Sequence, residues 1–122
     1  MGEACGQAGQ QAGTSPDDAR IDVGPSEDFA EGAGWPVQVG GATVAVIRFH
    51  GKLYGLHDRC THGNAQLSLG WVDEGWVECP LHQGRFELAT GKPLCDPVTE
   101  AVACYEVHEI EGRVWVRCRP AE

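Results

Sequence analysis

A chain of 122 residues has room for one domain with a modest core, and 42% apolar residues are enough to build it. A formal charge of −9 argues against nucleic acid or an anionic membrane surface as partner, and no apolar run approaches the length of a membrane span. The acidity is shared between a tail and a domain: residues 1–18 hold three acids and no base, and residues 19–122 hold 15 acids against 9 bases.

Residues 1–18 are Gly, Gln, Ala and Ser closed by two acids, a composition that cannot bury a core and predicts a disordered acidic tail. The N-terminus has neither a basic start nor an apolar segment of the secretory kind, so the chain is expected in the cytoplasm. From Ala19 the pattern changes. Ile21 and Val23 alternate with polar residues and predict a short strand, and Ser26–Phe29 predicts one capped helical turn. Val37–Val39 and Thr43–Phe49 predict strands around Gly40-Gly41. His50-Gly51 predicts a tight turn into Leu53–Leu56. Gly70–Val72 and Trp76–Glu78 predict a hairpin through Asp73-Glu74-Gly75, and Arg85–Leu88 a strand ending at Thr90-Gly91-Lys92. Residues 93–97 form an irregular loop. Val102–Ile110 alternates, Glu111-Gly112 turns, and Arg113–Arg117 is the last strand. No segment keeps a helical period, so the expected fold is all-β, an antiparallel sandwich or small barrel.

Two short motifs carry chemistry. Cys60-Thr61-His62 follows one predicted strand; Cys79-Pro80-Leu81-His82 follows another, with sixteen residues between His62 and Cys79. Two loops at one end of a rigid β scaffold can close on one metal. Zinc is one candidate, but its Cys₂His₂ sites ordinarily pair Cys with Cys and His with His. Here each half mixes the two types. That has a reason if two irons share bridging sulfides, one taking both thiolates and the other both imidazoles. Of the remaining cysteines, Cys104 sits in an alternating run and reads as core. Cys118 lies just past a strand and Cys5 in the tail. In a cytoplasmic chain these read as thiols rather than a disulfide framework. His50, His57 and His108 lie outside the paired motif and read as ordinary surface or scaffold residues.

With CTHG, ECPLHQGRFEL and TGKPL, the chain resembles the Rieske [2Fe–2S] family, and more narrowly the small ferredoxins of bacterial aromatic-ring-hydroxylating dioxygenase systems. The resemblance covers roughly residues 19–117. It implies a Rieske domain at 19–119 with short tails at 1–18 and 120–122, and a cluster-binding subdomain of two loops. It implies one [2Fe–2S] cluster per chain, ligated by Cys60, His62, Cys79 and His82. It also implies a monomeric, non-catalytic electron carrier between a flavoprotein NAD(P)H reductase and a terminal oxygenase. His62 and His82 would face solvent, with Gln66, Leu67 and Pro97 as candidates for the rim around them; Leu67 reads equally well as core.

Departures within the family set an expected potential. Respiratory-chain members add a cysteine to each loop and bridge the two; those positions here are Ala65 and Leu81. High-potential members place a serine and a tyrosine after the second histidine; here stand Gly84 and Phe86, which lack hydroxyls. Together with the acidic domain, these point to the low end of the Rieske range, about −150 mV rather than +300 mV. Gly63 and Gly84 suit backbone that approaches sulfide closely, while Gln83 and Arg85 contact backbone, partner or solvent. A complete oxygenase needs a further domain with a mononuclear iron site, and the roughly 25 residues after the 93–97 loop leave no room for one. A zinc-stabilised module, or an accessory subunit like the small subunit of assimilatory nitrite reductase, is the alternative.

Overall fold

The computed structural model describes residues 19–60, 65–81, 84–94 and 100–120. Nine strands form its framework: β1 (Arg20–Pro25), β2 (Gly34–Val39), β3 (Ala42–Phe49), β4 (Lys52–His57), β5 (Trp71–Asp73), β6 (Trp76–Glu78), β7 (Arg85–Glu87), β8 (Cys104–Ile110) and β9 (Arg113–Pro120). The expected all-β architecture is therefore present. The tail 1–18 and residues 121–122 lie outside the described residues. Among those described, no helix is long and apolar enough to cross a membrane.

Three hairpins turn on an X-Gly pair with both residues at positive φ: His50-Gly51 (52° and 78°), Glu74-Gly75 (42° and 85°) and Glu111-Gly112 (51° and 81°). Those angles match the twist of the strands they join, and glycine takes the second without a Cβ clash. The turns set local registers such as Phe49 opposite Lys52 and Ile110 opposite Arg113. Longer connections then build a six-stranded antiparallel sheet in the order β1-β9-β8-β4-β3-β2, whose edge strands β1 and β2 also touch, so the sheet nearly closes. Pro36 sits in β2, an edge strand, where its missing N–H breaks no ladder. A three-stranded sheet, β5-β6-β7, stands apart.

The two sheets explain why Val44-Ala45-Val46-Ile47 reads as a continuous apolar run. Val44 and Val46 point into the barrel, with Phe29, Val39, Leu53, Tyr105, Val114 and Val116. Ala45 and Ile47 point out, under the small sheet, with Leu56, Leu67, Val77, Phe86 and Leu88. Both faces of β3 are covered, so alternation vanishes. Full burial of Phe86 alone is worth about 2–3 kcal/mol. Leu67, weighed as a rim residue, is fully buried in this second core.

Three local expectations are corrected. The turn at Ser26–Asp28 is 3₁₀, with Pro25 at its N-cap and no side-chain cap. β9 runs to Pro120, so Cys118 lies within it rather than past it. Cys118 is disulfide-bonded, and none of the described cysteines is its partner, since Cys60, Cys79 and Cys104 are free.

Arg48 ties the barrel end together. Its side chain is 15% exposed and donates to Phe29 O (2.6 Å), Ser26 O (3.2 Å) and Glu109 Oε2 (3.1 Å). The Arg48 hydrogen bond holds the Glu109 carboxyl below its ordinary 4.5. A depressed carboxyl pKa stabilises the fold above 4.5 and loses that contribution as pH falls through the folded value. Glu109→Gln should therefore be less stable than wild type at pH 6, and the gap should close as pH drops well below 4.5. Urea midpoints across that range measure it; a gap independent of pH would refute the ion pair's role.

Candidate metal centre

Each cysteine sits at the mouth of a loop closed by a β ladder. After β4, Asp58 and Arg59 run antiparallel to residues 66–67: Arg59 bridges Gln66, Leu67 N–H donates to Asp58 O (2.6 Å), and Cys60 N–H donates to Ala65 O (2.9 Å). After β6, Cys79 N–H donates to Gly84 O (2.6 Å), directly beyond the pair Glu78 and Arg85. The two sequence motifs thus straddle two ladder ends, and the β5–β6 hairpin between them brings the ends together. Gly70 permits its close packing: a Cβ there would lie 2.2 Å from Glu78 O, the carbonyl just before Cys79.

Cys60 and Cys79 are 2% and 0% exposed and share the core under the small sheet. Neither is disulfide-bonded, and their thiols are hydrogen-bonded to each other. Burial first, then the Cys60 hydrogen bond, pushes the Cys79 thiol up to about 11, while Leu81 N–H, 3.4 Å from Cys79 Sγ, pulls the other way. Two adjacent thiolates in an apolar core would repel and lose hydration; a cation bound between them removes both costs. The donor set thus suits a thiolate-bound metal, with one backbone N–H already aimed at sulfur. His62, His82, Gly63, Gln83, Cys95 and Pro97 lie outside the described residues, so only the cysteine half of the predicted site is seen.

Other predicted neighbours are resolved. Ala65 packs half-buried against the core and Leu81 is exposed. Gly84 offers its carbonyl to Cys79 N–H; the N–H directed at sulfur comes from Leu81. Gln66 turns its amide to Asp58 Oδ2 (3.0 Å). Arg85 stacks on Trp76, its guanidinium 4.2 Å from the ring centroid, and Nε donates to Glu78 (3.1 Å). Asp58 lies outside both sequence motifs. Its carboxylate, 2% exposed, accepts from Ser68 N–H (2.7 Å) as well as from Gln66, clamping the first loop's ladder. Its one sequence signal is an acid two residues before a loop cysteine.

An antiparallel barrel carrying a small second sheet, with two buried thiols where two loops meet, defines an all-β metalloprotein domain. The Rieske [2Fe-2S] domain model matches residues 19–106. The anthranilate 1,2-dioxygenase ferredoxin subunit of Burkholderia cepacia is 42% identical over 94 residues, 77% of this chain and 87% of that one. The ferredoxin in a complex of reduced oxygenase and oxidized ferredoxin of carbazole 1,9a-dioxygenase superposes with a TM-score of 0.79 at 36% identity, covering 84% of this chain and 96% of that one. A structure described as a nitrite reductase NADPH small subunit superposes at 0.72, covering 80% and 97%, but at 22% identity shares the fold alone. The chain belongs to the Rieske [2Fe–2S] family, among the ferredoxin components of aromatic-ring dioxygenase systems. Its cofactor is a Rieske-type [2Fe–2S] cluster.

Proposed function

We propose that the chain carries single electrons from an NAD(P)H-dependent flavoprotein reductase to a terminal Rieske non-haem iron oxygenase, as a cytoplasmic monomer. Cys60, His62, Cys79 and His82 are assigned as the cluster ligands. The observation that carries this is the pair of buried, unbridged thiols at two adjoining loop mouths, together with relatives that are named ferredoxins. When bound, the cluster supplies a reversible one-electron couple. The chain does the rest. The two ladders fix the thiols, the core of Leu67, Val77, Phe86 and Leu88 excludes water behind them, and Leu81 N–H supports Cys79 Sγ. Phe86, fully buried where high-potential relatives carry a tyrosine, offers no hydroxyl. The net charge of −9 opposes adding an electron. Both favour a potential near the low end, about −150 mV.

The purified protein should be red-brown, give a rhombic EPR signal on one-electron reduction, and restore product formation when added to a reductase and an oxygenase that lack a carrier. A colourless protein with one zinc per chain would sink this reading.

A further inference from the structure

The outer face of the β5-β6-β7 sheet has no role in holding the thiols. The middle row of that sheet, Val72, Val77 and Phe86, points into the core. The rows on either side point outward: Trp71, Glu78 and Arg85 in one, Asp73, Trp76 and Glu87 in the other. This face therefore offers two indoles, three carboxylates and one guanidinium. Arg85 shows the chemistry such a face accommodates. Its guanidinium lies over the Trp76 ring while Nε donates to Glu78, so one cation is held between an indole and a carboxylate. Trp71 and Asp73, adjacent on the same face, repeat the indole–carboxylate pair. Trp71 is 70% exposed and Leu69 beside it 69%. Among the described residues no ring, cation or hydrogen-bond donor engages Trp71 or the Asp73 carboxylate.

We propose that this face is a docking surface for a protein partner that presents arginine, whose guanidinium seats on Trp71 beside Asp73. Charge selects this occupant. A second copy of the chain brings another −9, and the tail of residues 1–18 carries three acids and no base, so both are repelled. An arginine-bearing protein gains both the long-range attraction and the stacking contact, and exposed tryptophan is the residue type that most often dominates an interface. The position serves electron transfer, and here the inference rests on the carrier reading above: Cys79 follows Glu78 directly, so a partner on this face sits one sheet thickness from the thiol pair.

The test uses cluster-loaded full-length protein as the electron-carrying substrate of the reductase and oxygenase that turn over with wild type. Trp71→Ala/Asp73→Lys should raise the KM of one or both partner reactions for this protein by about tenfold or more. Trp71→Phe should retain most of the affinity. Raising salt should weaken wild type more than the double variant. Visible spectrum and Tm should match wild type, because both side chains are exposed; if the double variant loses its cluster, Asp73→Lys alone is scored in its place. KM values within twofold of wild type for both partners overturn the docking surface and leave the carrier reading standing. Absence of any turnover with wild type overturns the carrier reading and the docking surface with it.

Discussion

Cys79→Ala should yield a protein without colour, its iron content near background, while Cys104→Ala keeps the full visible spectrum. Both residues are free thiols at the same core, Cys79 buried within it and Cys104 half-buried at its margin, so the volume removed is the same in the two tests. They differ in place. Cys79 closes a loop ladder and is hydrogen-bonded to the Cys60 thiol; Cys104 starts β8, opposite Leu56. The same contrast extends to the histidines: His82→Ala should bleach the protein and His108→Ala should not. Loss of the cluster should also lower stability, because a metal that binds only the folded chain adds its binding free energy to folding. Equal colour in Cys79→Ala and wild type would refute the ligand assignment.

The second large effect is expected at Asp58. In Asp58→Ala, the buried Ser68 N–H loses its acceptor, while the amide of the exposed Gln66 can turn to water. Stranding that one buried donor costs about 1–3 kcal/mol. For a domain of this size that lowers Tm by roughly 4–24 °C. Asp58→Asn keeps one oxygen for Ser68 N–H, and Gln66 can rotate to present its own oxygen to the new amide, so about 1 kcal/mol is expected. The clamp also holds Cys60 in its ladder, so Asp58→Ala should release iron faster to a chelator than Asp58→Asn. Differential scanning of the holoproteins decides it: a Tm drop under about 3 °C for Asp58→Ala would show that the first loop is held by its backbone bonds alone.

What the sequence determined by itself was local. The X-Gly pairs at His50, Glu74 and Glu111 mark hairpins because only a few residue types accept positive φ, and alternation on either side marks the strands. The proposed ligand set could be named because Cys-x-His and Cys-x-x-His place unlike donors within a few residues of one another; the structure brings together its two cysteines, Cys60 and Cys79. Tertiary structure decided what depends on partners far along the chain. The pairing of β4 with β8 and of β1 with β9 joins segments with no common turn. Leu67 reads equally as rim or core until the small sheet covers it. Asp58, an acid expected in water, is buried because the backbone of residues 66–68 returns to meet it. Arg85 finds Trp76 and Glu78 only because two ladder registers place all three on one face. Local conformational preference is written residue by residue; burial and cross-strand contact exist only once the sheets have closed on each other.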